Sequence, residues 1–495
     1  MKSFRLLCLL TLATFTSVAH SQQTIDISDY GWYISIEKDV DWTQEWIVSP
    51  DIPPEDVDAS PPSEGWTSFQ NDISEDILLP SIIEDHIWNR DDLEFEKNGE
   101  FQGIAWYYTF FDIPSYWRKK KIFLRFEKVE MKAELYLNEQ LVAHEMVNGS
   151  PFEIDITDLI ERGTLNLLAV RVTDPFGSLD SNKDLPPAWK NYARHSTNGN
   201  GGLVGKVFLS ARDDVYLSDV IIRNRENGES IQVTAEVTNT NSKLISGNLS
   251  YSLLDGESGK EIARKERYLD KIFGSWVISM GFSKSDFEEN PDFNQLLWTP
   301  ENQNTYKVQV RWNGKDRSSS SIEKEVAFRW MDIEWEADSS RLFINDELFE
   351  KSVNEIKTRK GVSESLNSNL VLAKDELFIS ILPAWENNDS EFDRFIRIEK
   401  SKRWIKMQRS NPLLIMYRAD HRIKSSDIQL LHEHMRTLHS LDPTRMILFA
   451  NSIVEDNLYS ANANAEKQYM YILPYTDEII TQPPNNESIE QNPSF

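Results

Sequence analysis

Cysteine is almost absent from this 495-residue sequence, and the single copy, Cys8, lies in the N-terminal apolar segment. That segment begins with the charged residues Lys2 and Arg5 and continues through the apolar residues 6–16. It ends at Ala19-His20-Ser21, where small residues occupy both positions that a signal peptidase recognises. This order is typical of a secretory signal peptide, and we predict cleavage after Ser21. The mature chain would then contain no thiol, which excludes disulfides and thiol chemistry.

Long hydrophobic runs are also missing. The apolar residues 6–16 are fewer than the roughly 20 that a bilayer-spanning helix needs, and no later stretch comes closer. We therefore expect a soluble protein that is secreted or periplasmic, without a membrane as partner.

Positive charge is scarce, with 53 Lys and Arg against 80 Asp and Glu, for a formal net charge of -27. A surface of this sign repels the phosphates of nucleic acids and the headgroups of anionic membranes. Nucleic acid is therefore excluded as a partner, while the sequence leaves self-association open.

Motifs for cofactors and metals are lacking as well. The sequence has no phosphate-binding glycine loop, dinucleotide fingerprint or serine nucleophile elbow. His432 and His434 flank Glu433, but helical zinc sites of the metalloprotease type need histidines four residues apart. Histidines two residues apart on a helix point to different faces. We predict neither a cofactor nor a metal site.

Short β-rich runs dominate what is present, and a chain of this length predicts two to four domains. A first series of runs is bounded by turn residues, as in antiparallel sandwiches, and comprises Trp106–Asp112, Ile122–Val129, Ala133–Leu137, Phe152–Ile156 and Leu165–Val172. A second series extends from residue 215 to about residue 330. After residue 341, strand-like runs at Phe378–Leu382, Leu413–Tyr417 and Met446–Phe449 alternate with helical stretches at Asp393–Gln408 and Asp427–Leu438, an order that predicts parallel strands.

The first series resembles the sugar-binding domain of glycoside hydrolase family 2, which includes β-galactosidases, β-glucuronidases and β-mannosidases. The segments that carry this resemblance occur in the family's order and are Trp106-Tyr107, Leu124-Arg125-Phe126-Glu127, Ala133-Glu134-Leu135-Tyr136-Leu137-Asn138-Glu139, Pro151–Thr157, Asn166–Val172 and Gly201-Gly202. Leu297-Trp298-Thr299-Pro300-Glu301-Asn302 is similar to the family's immunoglobulin-like domain. Arg341–Glu347 is similar to the entry of its TIM barrel.

The resemblance implies a multidomain, largely all-β chain. We predict a signal peptide over 1–21, a galactose-binding-like jelly-roll sandwich over 22–212, an immunoglobulin-like sandwich over 213–330, an incomplete TIM-barrel-like α/β region over 331–480 and a disordered tail over 481–495. The barrel is expected to be incomplete because a closed barrel takes about 250 residues.

Candidate site residues follow from the same resemblance. A retaining β-glycosidase uses two carboxyl groups, one as proton donor and one as nucleophile. The family's acid/base Glu follows the strand that here reads Leu413–Tyr417, but Asp420 and His421 stand in that region, and either is a candidate substitute. No counterpart of the nucleophile is found. Residues near strand ends that are candidates for a sugar pocket are Trp385, Glu386, Arg418 and Asn451.

Three interpretations remain open. The chain is a family-2 type glycosidase acting on β-linked oligosaccharides, a non-catalytic descendant that binds carbohydrate or serves as a scaffold, or the product of a gene fragment. A shared fold does not decide between them, because function depends on the site.

Overall fold

The structure is a computed structural model of the chain. It describes residues 23–37, 40–49, 52–71, 75–87, 101–175, 185–196, 199–224, 230–286, 296–336, 339–349, 357–360, 377–386, 388–411, 413–454, 466–472 and 479–482. The predicted signal peptide lies outside these residues. Across the described ranges, no helix combines the length and the apolar character needed to cross a membrane.

Two facing sheets form the N-terminal part of the structure. One has the strand order β1-β12-β6-β9 and the other β3-β2-β5-β10-β7-β8, with a short β11-β4 pair beside them. The strands are β1 (Gln23–Asp26), β2 (Trp32–Glu37), β3 (Glu75–Ile77), β4 (Ser81–Ile82), β5 (Gly103–Phe111), β6 (Lys121–Phe126), β7 (Lys132–Leu137), β8 (Gln140–Glu145), β9 (Phe152–Asp155), β10 (Asn166–Asp174), β11 (Gly202–Leu203) and β12 (Val207–Arg212). Helical segments in this part are Pro54–Asp56, α1 (Ser68–Asn71), α2 (Glu84–Ile87), Ser115–Trp117 and α3 (Pro187–Ala193).

The core between these sheets follows from side-chain alternation along the strands. Leu135 on β7 and Val170 on β10 lie in one buried cluster with Leu124 on β6 and Leu209 on β12. Each fully buried aliphatic side chain contributes roughly 1.5–3 kcal/mol. The first β series therefore forms the predicted sandwich, with one core between two sheets.

The outer face of the six-stranded sheet is also buried. Trp106 and Tyr136 on that face pack in a cluster that includes Phe69 and Trp66, which lie within the preceding segment 40–71. Burial on both faces explains why β5, β7 and β10 are buried almost throughout.

A second pair of sheets follows, with the orders β13-β14-β17 and β16-β15-β18-β19. Its strands are β13 (Val215–Asn224), β14 (Ser230–Asn239), β15 (Ile245–Asp255), β16 (Glu261–Ile272), β17 (Gly274–Ser283), β18 (Tyr306–Gly314) and β19 (Ser319–Val326), and a short helical turn covers Lys284–Asp286. Val233, Leu253, Val310 and Trp312 lie in its core.

The C-terminal part combines sheets and helices. A three-stranded antiparallel sheet contains β20 (Met331–Glu336), β21 (Ser339–Ile344) and β22 (Glu347–Leu348). A six-stranded sheet follows in sequential order, with β23 (Lys357–Lys360), β24 (Phe378–Ile381), β25 (Leu414–Lys424), β26 (Met446–Val454), β27 (Glu466–Ile472) and β28 (Ile479–Gln482). The helical segments are α4 (Glu391–Gln408), Ser425–Asp427 and α5 (Ile428–Leu441).

The predicted parallel order is confirmed for β24, β25 and β26. Strand β23, which was not predicted, also pairs parallel to β24. Both β27 and β28 pair antiparallel to their neighbours, which the sequence pattern did not predict. Residues 481 and 482, predicted as the start of a disordered tail, instead belong to β28, which extends to Gln482 and pairs with β27. The rest of that tail lies outside the described residues.

Strand β25 is longer than predicted, and this difference concerns the candidate site. We expected the strand to end at Tyr417, but it continues to Lys424. Between residues 418 and 424 charged side chains alternate with Ala419, His421 and Ile423, which are buried. Period-two alternation is typical of a strand with one buried face. Asp420 and His421 therefore lie within a strand rather than in the loop after it.

Helix α4 packs directly against the N-terminal sandwich. Ile396 on α4 belongs to a buried cluster with Met146 and Trp189 of the sandwich region. Asp393 lies 2.8 Å from the Nε2 of His195, and Arg403 bonds Glu145 over 2.9 Å. The C-terminal part is thus joined to the sandwich by both apolar and charged contacts.

Candidate functional site

Two faces of β25 differ sharply in character. Ala419, His421 and Ile423 are buried on the face covered by helices, whereas Arg418, Asp420, Arg422 and Lys424 lie on the opposite face, which we call the open face. Closed barrels fill their interior mainly with bulky branched apolar side chains. This half of β25 is instead a polar surface in the described structure.

Asp420 is the accessible carboxyl group of this face. Its Oδ1 accepts a hydrogen bond from the Nε of Arg418 over 2.8 Å, and its side chain is 54% exposed. Exposed ion pairs of this kind contribute only about 0–1 kcal/mol. The contact therefore does not prevent Asp420 from meeting a ligand.

His421 has the opposite environment. Its side chain is buried, and its Nδ1 accepts a hydrogen bond from the backbone N–H of Trp385 over 2.9 Å. Burial, together with the nearby positive charge of Arg397 and the ring of His434, lowers the pKa of His421 well below its usual value. Because its pKa is lowered, His421 is neutral at ordinary pH. Its side chain lies on the buried face of β25, opposite to the face that carries Asp420.

The loop after β24 carries two more of the predicted residues. The Trp385 indole is buried and stacks on the His434 ring of α5, with centroids 5.0 Å apart. Glu386 is half-buried, and its backbone N–H donates to Asp389 Oδ2 over 2.8 Å. Glu386 thus remains accessible, while Trp385 belongs to the interior.

Asn451 lies beside His421 in the β25–β26 register and is also buried. The six predicted residues therefore lie in three different places. Trp385, His421 and Asn451 are in the interior, Arg418 and Asp420 are on the open face, and Glu386 lies on the loop after β24.

A buried carboxyl group in the N-terminal sandwich was missed by the sequence reasoning. Glu84 on α2 is buried, and burial raises its pKa to about 7, although the N–H groups of Phe101 and Gly201 partly oppose this. The charges of Glu84 and Asp174 both act on the Tyr107 hydroxyl, so these three side chains are neighbours. No local pattern marks Glu84, because its burial depends on distant segments.

Replacing this carboxyl group is expected to stabilise the sandwich in alkaline but not in acidic solution. The unfolded carboxyl ionises near pH 4.5 and the folded one near pH 7, so folding loses stability as pH rises between these values. Glu84→Gln should therefore raise the free energy of unfolding by about 2–3 kcal/mol at pH 8 and leave it nearly unchanged at pH 4.5.

Thermal unfolding at both pH values measures this effect. Asp85→Asn is a matched control, because Asp85 is the exposed neighbour on the same helix and should shift stability by no more than about 0.5 kcal/mol. Equal shifts of the Glu84→Gln variant at both pH values would show that ionisation of this group is not the cause.

The histidines 432 and 434, which flank Glu433, lie on helix α5. Among the described residues, no group of three or more His, Cys, Asp or Glu side chains is arranged to hold an ion. His432 contacts Met470 Sδ and His434 stacks on Trp385, so the two rings have different surroundings.

Comparison with known families gives two matches in the chain. Residues 41–182 match the model described as "Glycosyl hydrolases family 2, sugar binding domain". Residues 215–329 match the model described as "Glycosyl hydrolases family 2". Both models describe parts of one family, and together they cover just over half of the chain.

Curated relatives are distant. A β-galactosidase of Thermoanaerobacter pseudethanolicus is 22% identical over 384 residues, which are 70% of this chain and 49% of that protein. A β-glucuronidase of Formosa agariphila is 28% identical over 130 residues, which are 26% of this chain and 13% of that protein. The chain thus spans at most about half the length of these relatives.

Solved structures show the same fold. A family-2 glycosyl hydrolase of Bacteroides cellulosilyticus superposes with a TM-score of 0.61 at 15% identity, covering 89% of this chain and 58% of that one. A β-glucuronidase of Bacteroides uniformis has a TM-score of 0.60 at 16% identity, covering 86% and 52%. Identities this low support the fold and not a shared activity.

Proposed function

Because this chain belongs to glycoside hydrolase family 2, we propose that it hydrolyses β-linked sugars, with Asp420 as the proton donor. The observation that carries this proposal is the accessible carboxyl group of Asp420 on the open face, in the carboxyl-terminal half of a central parallel strand. Active sites of parallel α/β folds lie at the carboxyl ends of their strands.

The proposed chemistry is hydrolysis of an O-glycosyl bond. In its protonated form, Asp420 gives its proton to the glycosidic oxygen while the bond between that oxygen and the anomeric carbon breaks. Water then adds its hydroxyl group to the anomeric carbon, and the proton that this water releases restores the acid form of Asp420. Arg418 holds the carboxyl group from one side. Glu386 is the proposed partner of sugar hydroxyl groups, because its carboxyl group is half-buried on the loop after β24 and can accept their hydrogen bonds.

The rest of the chain is assigned by the same reasoning. We assign the N-terminal sheets to a jelly-roll sugar-binding domain, the middle sheets to an immunoglobulin-like domain, and the C-terminal sheet and helices to part of a TIM-barrel-like unit. The N-terminal segment up to Ser21 supports export from the cytoplasm. β-Linked oligosaccharides are the proposed substrates, since the chain resembles a β-galactosidase and a β-glucuronidase.

A second candidate is a carbohydrate-binding protein without catalysis. One observation favours it: among the described residues of β25, the open face carries one carboxyl group among three cationic side chains, whereas hydrolysis by this family's chemistry uses two carboxyl groups. In that case the sandwich and the open face bind sugar without cleaving it.

One experiment separates the two candidates. The purified protein is incubated with aryl β-glycosides of galactose, glucuronic acid, mannose and glucose, and release of the aryl alcohol is followed against a heat-inactivated sample. Calorimetry with β-linked oligosaccharides is performed in parallel. Turnover supports the hydrolase, saturable binding without turnover supports the binding protein, and neither result from a folded sample contradicts both.

A further inference from the structure

We infer that His421 is a positioning residue, which holds the loop residues 382–386 against β25 and so fixes the position of Glu386 at the end of this loop. The expected effect of this positioning on sugar binding rests on the proposed function. The hydrogen bond between His421 and Trp385 does not, since it is a feature of the structure.

The tautomer of His421 follows from its hydrogen bond. Its Nδ1 accepts the backbone N–H of Trp385 over 2.9 Å, so this nitrogen carries no proton. The ring proton of the neutral side chain must then lie on Nε2. Protonation of Nδ1 would set two donors against each other, so this contact requires the neutral ring that the buried environment favours.

The backbone of Trp385 is held at both of its polar groups. Its N–H donates to His421, and its C=O accepts the N–H of Arg422 over 2.7 Å. Closer to β24, the N–H of Leu382 donates to the C=O of Arg418 over 2.8 Å. The loop therefore stays attached to β25 after β24 ends at Ile381. Two of its three hydrogen bonds to β25 join backbone groups, and the third is accepted by the side chain of His421.

Ring packing fixes the same residue from a second direction. The Trp385 indole stacks on His434 and meets the His421 ring edge-on, with centroids 5.0 Å and 5.8 Å away. The Phe449 ring centroid lies 4.4 Å from the His421 ring centroid. Glu386 directly follows this immobilised residue, so its position depends on the bond to His421.

Two variants separate the hydrogen bond from the packing. Asparagine and leucine branch at the same atom, and the Asn Oδ1 can accept a hydrogen bond near the place of His Nδ1, whereas leucine cannot. His421→Asn and His421→Leu therefore lose the same ring but differ in the acceptor. His434→Leu is a control that removes the stacked ring and leaves the Trp385 N–H bonded.

Amide hydrogen exchange of the segment around Trp385 measures directly whether the Trp385 N–H is hydrogen-bonded. His421→Leu should speed exchange of the Trp385 amide roughly tenfold, while His421→Asn and His434→Leu should keep it within about threefold of the parent protein. With a glycoside that is turned over, His421→Leu should raise KM several-fold more than it lowers kcat, and His421→Asn should restore KM.

Equal exchange in the asparagine and leucine variants would overturn the inference, because the acceptor would then not matter. A parent protein that turns over no glycoside would contradict the proposed hydrolase instead. The inference would in that case be decided by amide exchange alone, which supports it if asparagine restores protection and overturns it if asparagine does not.

Discussion

Asp420→Asn is expected to lower kcat/KM for an aryl β-glycoside by about 10²–10⁴-fold, the usual contribution of a positioned proton donor. The amide keeps the size and hydrogen-bonding capacity of the carboxyl group but cannot give a proton to the leaving oxygen. Because Asp420 is 54% exposed and its pair with Arg418 lies at the surface, the free energy of unfolding should change by less than about 1 kcal/mol.

Steady-state kinetics with thermal unfolding of the same samples tests this result. Glu433→Gln is the matched control, since Glu433 is an exposed acid on α5, which covers the other face of the sheet, and its replacement should leave kcat/KM within about twofold. A leaving-group dependence gives a second readout, because poor leaving groups need the proton most. Unchanged turnover in the Asp420→Asn variant would exclude Asp420 as the acid.

Arg445→Met is expected to destabilise the C-terminal α/β part by about 3–5 kcal/mol, because it leaves a buried carboxylate without its partner. Arg445 Nη1 lies 2.6 Å from Asp442 Oδ2, and its guanidinium also donates to the carbonyl oxygens of Arg409, Asn411 and Leu414. Burial alone would raise the pKa of Asp442, but Arg445 and its hydrogen bonds hold that pKa below the usual value.

Arg445 connects the turn before β25 with the turn before β26 through these hydrogen bonds. Its replacement should therefore make both strands easier to unfold. Urea unfolding and limited proteolysis should show the C-terminal part opening first, with the N-terminal sandwich little changed. Arg445→Lys should recover only part of the stability, since an ammonium group cannot bond several carbonyls in the guanidinium's planar arrangement. The exposed Arg436→Met on α5 should cost no more than about 0.5 kcal/mol, and an equal cost at both positions would contradict this account.

Turnover and folding stability are thus expected to depend on different residues of the C-terminal sheet and its turns. Asp420 is expected to affect turnover with little effect on folding, whereas Arg445 is expected to affect folding first. His421 differs from both, because its replacement should act through the position of Trp385 and Glu386. Measuring turnover, stability and amide exchange on all three positions separates these roles.

The sequence by itself determined the sheet-rich class, the strands β5, β6, β7, β9 and β10 of the sandwich, and the family. Alternation at Leu124, Leu135 and Val170 is local information, since successive side chains of a strand point to opposite faces. The parallel order of β24, β25 and β26 was likewise readable from strands that alternate with helices.

Only the tertiary structure decided which candidate residues lie on the same face of the sheet. Asp420 and His421 are adjacent in sequence, and the residue types alone made either one a candidate acid. Continuation of β25 to Lys424 places them on opposite faces, one exposed and the other bonded to Trp385, 36 residues earlier in the chain. The surroundings of Glu84 likewise include distant segments, since backbone groups of Phe101 and Gly201 act on its pKa. Such contacts depend on which segments pack together, and local pattern does not carry that information.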